Sequence, residues 1–291
     1  MVSPETSPRL DALLPPEMAR RAEEVGAARA AMSPLTAFVL AVLAGAFIAL
    51  GGVFATVALA GVPGTAGAPP WGALRVLAGI VFSLGLILVV VGGAELFTGN
   101  NLIVMAWASG RVRTRALLGN WGIVFAGNFA GAVATAFLVY LGGTHRLGNG
   151  GFGVAALAIA AGKLQLDFVQ AVALGVLCNV LVCLAVWLAL SARSTADRIL
   201  AVVPPVSAFV AAGFEHSIAN MYFVPFGWFV ATLDPRFVGV HGLDRDAEAL
   251  TWTRFLVGNL VPVTVGNLIG GVLLVGLVYW FVYLRQPVRR G

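Results

Sequence analysis

Charge is what this chain has least of, and lysine is almost missing. Only 11% of the 291 residues are charged, and Lys163 is the single lysine among 18 cations. A soluble domain carries about 25% charged residues. With 59% hydrophobic residues and a mean hydropathy of +0.94, a water-coated globule is excluded, and the chain reads as an integral membrane protein with a lipid bilayer as its main surroundings. Cysteine is nearly absent too. Cys178 and Cys183 share one apolar run at a spacing that matches no metal motif, so they read as small core residues. No paired-acid motif and no metal-spaced cluster occurs, so neither a metal nor a cofactor is expected. A secretory leader is not indicated, because Pro4, Glu5, Pro8, Asp11, Pro15, Pro16 and Glu17 precede the first apolar run. The net charge of +5 comes from arginines spread along an apolar chain. That is the mark of membrane topology rather than of a nucleic-acid partner.

What the chain does have is length of apolar run. A membrane span needs about 20 apolar residues, and residues 35–60, 116–141, 168–192 and 255–284 each supply one. Two further runs are interrupted. Residues 76–94 and 96–109 flank a Gly-rich break around Glu95, and 199–214 and 217–233 flank another around Glu215 and His216. Each glutamate is the only formal charge in its stretch, between Arg75 and Arg111 in one case and between Arg198 and Asp234 in the other. Matched interruptions in the two halves of a chain point to a solute path near the bilayer midplane. Residues 17–32 read as a short surface helix, and the Gly-rich stretch 142–167 as a connection with a short helix lying on the surface. The expected division is a cytoplasmic segment 1–33, a transport domain 34–285 made of repeats 34–142 and 168–285, and a tail 286–291. With six spans, twelve cations fall on the side of the termini and six on the other, which puts both termini in the cytoplasm.

The halves repeat one another. Gly119-Asn120, Gly127-Asn128 and Gly131 recur as Gly258-Asn259, Gly266-Asn267 and Gly270, an offset of 139 residues throughout. Three spans per half is odd, so the halves insert with opposite topology and the site lies between them. The asparagines serve either packing or hydrogen bonding across that interface.

At the breaks, Gly92, Gly93, Gly99 and Gly213 supply backbone freedom. Thr98, Asn100, Ser217 and Asn220 are candidate caps for the half-helices that follow, whose positive ends would favour an anion. Glu95 and Glu215 are read as accepting backbone N–H groups and holding the loops, with direct solute contact as the alternative. His216 is the only histidine inside a span. Its reading is functional at that depth, against a plain structural hydrogen bond. Phe82, Leu86, Leu96, Phe97, Phe209 and Phe214 form either packing or dry constrictions. Stripping water from an anion costs several kcal/mol. A histidine of ordinary pKa, about 6.5, is the candidate to offset it with a proton.

These residues resemble the formate/nitrite transporter family over residues 30–285. The resemblance rests on Glu95-Leu-Phe-Thr-Gly-Asn-Asn-Leu-Ile-Val, Ala108-Ser-Gly-Arg111, Gly119-Asn-Trp121 with Gly127-Asn128, Leu184-Ala-Val-Trp187, Phe214-Glu-His-Ser-Ile-Ala-Asn-Met221 and Asn259-Leu-Val-Pro-Val-Thr-Val-Gly-Asn-Leu-Ile-Gly-Gly271. It implies an all-α, aquaporin-like protomer of six transmembrane helices with broken second and fifth helices, assembled as a homopentamer in the bacterial inner membrane. It implies transport of a small monovalent anion, formate first; whether conduction is channel-like or coupled to protons stays open, with His216 either hydrogen-bonding or protonating the anion. His216 resembles the family's central histidine and Thr98 the threonine facing it. Lys163 and Asn179 resemble residues lining the approach, Phe82, Leu86 and Phe209 those at the constrictions, with Leu96 and Phe97 beside them. Glu215 and Asn220, and by the repeat Glu95, support the loops. The first loop departs from the formate pattern, which often has Ser then Thr where Gly99-Asn100 stands, so nitrite and hydrosulfide stay open beside formate.

Two other classes fit the sequence less well. A water or glycerol channel would want Asn-Pro-Ala at the half-helix starts, and Asn220 is followed by Met221. An intramembrane hydrolase built on Glu95, His216 and Ser217 would need its base to reach an adjoining nucleophile, which is poor geometry. The expectation is therefore not an enzyme.

Overall fold

Backbone polar groups in hydrocarbon must bond within their own segment, so long apolar runs fold as helices. The computed structural model describes residues 12–60 and 69–285, and expectations for Arg9, Arg289, Arg290 and the tail 286–291 lie outside them. Among the described residues there are helices and no strands. Helix α1 (Pro15–Ala30) precedes α2 (Pro34–Leu59) and α3 (Trp71–Gly92). A 3-10 turn (Gly99–Leu102) and α4 (Ile103–Ala108) follow the first break, then α5 (Thr114–Leu141). The second half holds α6 (Gly151–Leu164), α7 (Phe168–Ser191), α8 (Thr195–Ala212), α9 (Ser217–Leu233), the short α10 (Pro235–His241) and α11 (Asp244–Ala249), and the last span Arg254–Tyr283. Among the described residues, six helices are long and apolar enough to cross a membrane: α2, α3, α5, α7, α8 and the last span.

Local sequence explains where these helices start. Ser33 accepts from Thr36 N ahead of Pro34, and Asp167 with Gln170 and Ser194 with Asp197 form capping boxes. The last span runs as π-helix over Arg254–Leu260 and Ile269–Leu277. Pro262, which has no N–H to offer the preceding turn, sits just past the first of these stretches.

The repeated glycines permit close helix crossings. A Cβ on Gly131 would meet the carbonyl of Val42 on α2, and one on Gly270 the carbonyl of Val176 on α7. The two contacts are repeat-related, so α5 packs on α2 as the last span packs on α7.

Two helices outside the spans are more deeply set than their composition implies. α6, expected on the surface, buries Phe152, Ala156, Leu157, Ala160 and Ala161. It packs on α9, where Gly227 admits Ala160 and Phe152 meets Phe226 edge-on at 5.8 Å. Alanine and glycine give a weak hydropathy signal but a close fit, and this seat carries Lys163 inward. α1 buries Met18, Ala19, Ala22 and Gly26, the last against Ile103 of α4.

On the side away from the termini, Asp234 caps α10 through Phe237 N and binds Arg146 at 2.9 Å and His145 at 3.1 Å. The Arg146 hydrogen bond, ahead of the others, holds its carboxyl down at about 2. That is below the ~3.9 of an unfolded aspartate, so the corner is stabilised above pH ~4 and loses that stability as pH falls towards 2. Asp234→Asn is expected to cost about 1 kcal/mol at pH 6 after solvent screening, a deficit that closes by pH ~2. Thermal unfolding of both proteins at the two pH values tests it, and an equal deficit at both would count against the ion pair.

Candidate functional site

The two breaks are built alike. α3 ends at Gly93 with φ 77°, and α8 ends at Gly213 with φ 77°, a left-handed turn that glycine adopts without strain. Glu95 N then donates to Leu40 O and Glu215 N to Leu174 O, both at 3.3 Å, pinning each loop to the first helix of its own half. One asparagine from the third span of each half holds what remains of the backbone. Asn128 accepts from Phe97 N (2.9 Å) and donates to Ala41 O and Glu95 O. Asn267 accepts from Ser217 N (2.9 Å) and donates to Gly175 O and Glu215 O. These amides are loop scaffolding, not only helix packing, and they satisfy groups that lipid would leave unpaired. Asn267→Ala strands three of them at once. It is expected to cost about 3 kcal/mol or more, read as a fall in the melting temperature of the detergent-solubilised protein. A shift within error would refute the scaffold role.

The glutamates differ from expectation in what they accept. Neither takes a backbone N–H of its loop. Glu95 accepts Asn100 Nδ2 (2.7 Å) and pairs with Arg29 Nε (3.1 Å). Glu215 accepts Asn220 Nδ2 (2.7 Å) and pairs with Lys163 Nζ (2.8 Å). Asn120 and Asn259 close each network, bonding the loop asparagine on one side and the carbonyl of Arg29 or Lys163 on the other. Arg29 escaped the sequence reading because it lies ahead of the first span. The 139-residue repeat would not have found it, since that offset pairs Arg29 with Phe168; in the structure Arg29 stands to Lys163 as Leu40 does to Leu174.

The two loops share their glutamate and asparagine but differ between them. Where the first loop has Leu96, the second has His216. His216 Nε2 lies 2.9 Å from Thr98 Oγ1, so the two loops meet through these side chains. Its Nδ1 accepts from Ala219 N at 3.1 Å and is the N-cap of α9. Thr98, Asn100, Ser217 and Asn220 make no cap bond, which corrects the sequence reading: the imidazole takes that place. An Nδ1 that accepts carries no proton, so the neutral ring holds its proton on Nε2 and donates to Thr98 Oγ1. Both ring nitrogens are committed, and none is left for Ser217, whose buried hydroxyl has no partner among the described residues.

Two cavities approach this pair from opposite faces. On the terminus side a space of about 590 Å³ is bordered by Leu86, Leu96, Gly99 and Val186, with Arg21, Arg29, Arg193 and Arg198 among its walls. On the other side a space of about 250 Å³ is bordered by Phe82, Phe209, Phe214, Lys163, Arg75, Glu215 and His216. Phe82 and Phe209 meet edge-on at 5.8 Å, and Phe209 lies 5.9 Å from the His216 ring. Phe82 lines one cavity and Leu86, one helical turn or about 6 Å further along α3, lines the other.

The other expected residues lie back from the cavities. Thr98 and Asn179 border neither and are fully buried. Asn179 donates to Asn101 Oδ1 and Asn267 O, both at 2.7 Å, and Cys183 Sγ donates to Thr98 O at 3.4 Å. Phe97 packs on Phe125 at 5.0 Å. Asn101 and Arg75 were not singled out from sequence. Arg75 reads there as a loop charge, yet it reaches the end of α8, donating to Val210 O at 2.5 Å and Ala211 O at 3.2 Å.

Comparison with known proteins agrees with this geometry. The family profile described as Formate/nitrite transporter matches residues 16–281. The formate channel FocA of Escherichia coli (strain K12) is 46% identical over 278 residues, covering 95% of this chain and 96% of its own. A solved pentameric formate channel with formate bound superposes with a TM-score of 0.80 at 42% identity, covering 87% of this chain and 98% of that one. An FNT family ion channel superposes at 0.77 with 28% identity, covering 93% and 99%.

Proposed function

The chain belongs to the formate/nitrite transporter family, and from that premise we propose that it carries small monovalent anions of weak acids, formate first, through a path in each protomer. The observation that carries the proposal is the His216–Thr98 contact set in an apolar wall between two open cavities. An anion reaching that wall must shed water at a cost of several kcal/mol. Hydrogen bonds to a charged acceptor return about 1.5–3 kcal/mol each, and His216 Nε2–H, the Thr98 hydroxyl and the positive end of α9 are the groups placed to give them.

Proton transfer to the anion takes one further step. A neutral ring has no proton to give away, so the donor form is the imidazolium. Making it puts a proton on Nδ1, against Ala219 N–H, and loosens the cap of α9. The imidazolium then passes its Nε2 proton to the carboxylate, which becomes the neutral acid and crosses the phenylalanine and leucine wall; the ring is left neutral with its proton on Nδ1, and loss of that proton with reprotonation at Nε2 restores the cap and the resting tautomer. Low pH thus favours passage as the acid, and higher pH favours the hydrogen-bonded anion.

The native setting follows from the same reading. The arginine excess supports both termini lying in the cytoplasm of a bacterial cell, with the spans in its inner membrane. Outward-facing Leu35, Leu138, Phe168 and Val169, each more than 60% exposed in the single chain, fit lipid and neighbouring protomers, and a homopentamer like the solved relative's accounts for them. Proteoliposome flux of formate, nitrite, hydrosulfide, acetate and glycerol at pH 5.5 and 7.5 tests the proposal. Formate is expected to pass fastest. Glycerol passage without anion passage would overturn the reading, and nitrite or hydrosulfide outrunning formate would reassign the substrate.

A further inference from the structure

Among the lining residues of the cavity opposite the termini, three carry formal charge: Arg75, Lys163 and Glu215. Lys163 and Glu215 are bonded to one another at 2.8 Å and cancel. The net positive charge of this mouth is therefore that of Arg75, whose described bonds are to uncharged carbonyls, Val210 O and Ala211 O. Those carbonyls belong to the last turn of α8, the negative end of a half-helix that stops at Gly213 beside the cavity. Uncovered, that end would repel an anion in the mouth. Arg75 also lies over the Trp71 ring at 5.9 Å, which further restrains its side chain.

The other face is lined differently. Arg198, near the start of α8, lines the terminus-side cavity together with Val89 and Val90 at the end of α3, the repeat-related place. Its backbone N donates to Ser194 O at 3.3 Å, while its guanidinium makes no hydrogen bond or ion pair among the described residues. The cation fixed on the carbonyl end of α8 thus belongs to the mouth opposite the termini.

Resting on the reading of the path as one for small anions, we propose that Arg75 is the specificity-determining residue of the mouth opposite the termini. It covers the α8 carbonyl end and supplies the uncompensated charge that concentrates monovalent anions there. Lys163, in this account, serves chiefly to hold the His216 loop. A charged cleft raises the local concentration of its counter-ion by tenfold or more at low salt.

Flux of formate and of neutral formamide is measured in full-length protein, in vesicles of one orientation, with solute added to each face in turn. Arg75→Gln keeps a donor for Val210 O and removes the charge, whereas Arg75→Lys keeps the charge. Arg75→Gln is expected to raise the half-saturating formate concentration about fivefold from the face opposite the termini, and to leave maximal flux, formamide flux and the other face unchanged. Its dependence on ionic strength should flatten. Arg75→Lys is expected to restore the wild-type values. Wild-type half-saturation in Arg75→Gln, or an equal change at both faces, would overturn the proposal, as would a loss of formamide flux in step with formate. Absence of formate flux in the wild type would instead defeat the reading of the path, so the two failures are distinguishable.

Discussion

His216→Phe is expected to lower formate flux about 10- to 100-fold at neutral pH, the worth of one hydrogen bond to a charged group, and to leave the residue of flux independent of pH. Phenylalanine removes three things together: the Nε2 donor facing Thr98, the titrating ring, and the cap on Ala219 N. The loss of the cap alone disturbs α9, so this variant does not separate chemistry from structure. His216→Asn does. Asparagine is a good N-cap and carries an N–H donor, yet does not titrate. It is expected to fold like the wild type and keep part of the flux at pH 7.5, and to lose the rise on acidification. Flux measured from pH 5 to 8 decides. A pH profile in either variant that matches the wild type would remove His216 from the proton chemistry.

Lys163→Ala is expected to be the most damaging single change outside the histidine, for a reason that has little to do with attraction of solute. It leaves Glu215, with a side chain 6% exposed, as a buried carboxylate without its cation. Breaking a buried pair by removing one partner costs about 3–5 kcal/mol, and here the cost falls on the loop that holds His216. Flux should collapse, with a matching fall in melting temperature. The paired change Lys163→Met with Glu215→Gln removes both charges, leaves an amide to bond Asn220, and keeps the net charge of the mouth. It is expected to recover most of the stability and most of the formate flux. A paired variant that regains its melting temperature yet carries formamide but not formate would show that the lysine charge itself serves anion uptake.

Much of this molecule is legible without coordinates. Apolar runs of about 20 residues with so little charge have one stable solution in a bilayer, the helix, because every backbone group must find its partner nearby. Glycine-marked interruptions at Glu95 and Glu215, and the recurrence of Gly-Asn pairs, report paired broken helices and inverted repeats. Their signals are local, and the bilayer turns local polarity into position. The surface reading of α6 failed because its alanines and glycines resemble a weakly apolar connection, whereas in three dimensions they fit Gly227 closely.

Only the tertiary structure decided which partner each polar group takes. Sequence shows an isolated glutamate, histidine or arginine, but not whether Glu95 answers to Arg29, whether His216 caps α9 through Nδ1, or whether Arg75 reaches Val210. Those pairs are separated by 66, 3 and 135 residues along the chain. Hydrogen bonds act over about 3 Å, and helix crossing angles, set by where glycines let backbones touch, determine which distant groups come within that reach.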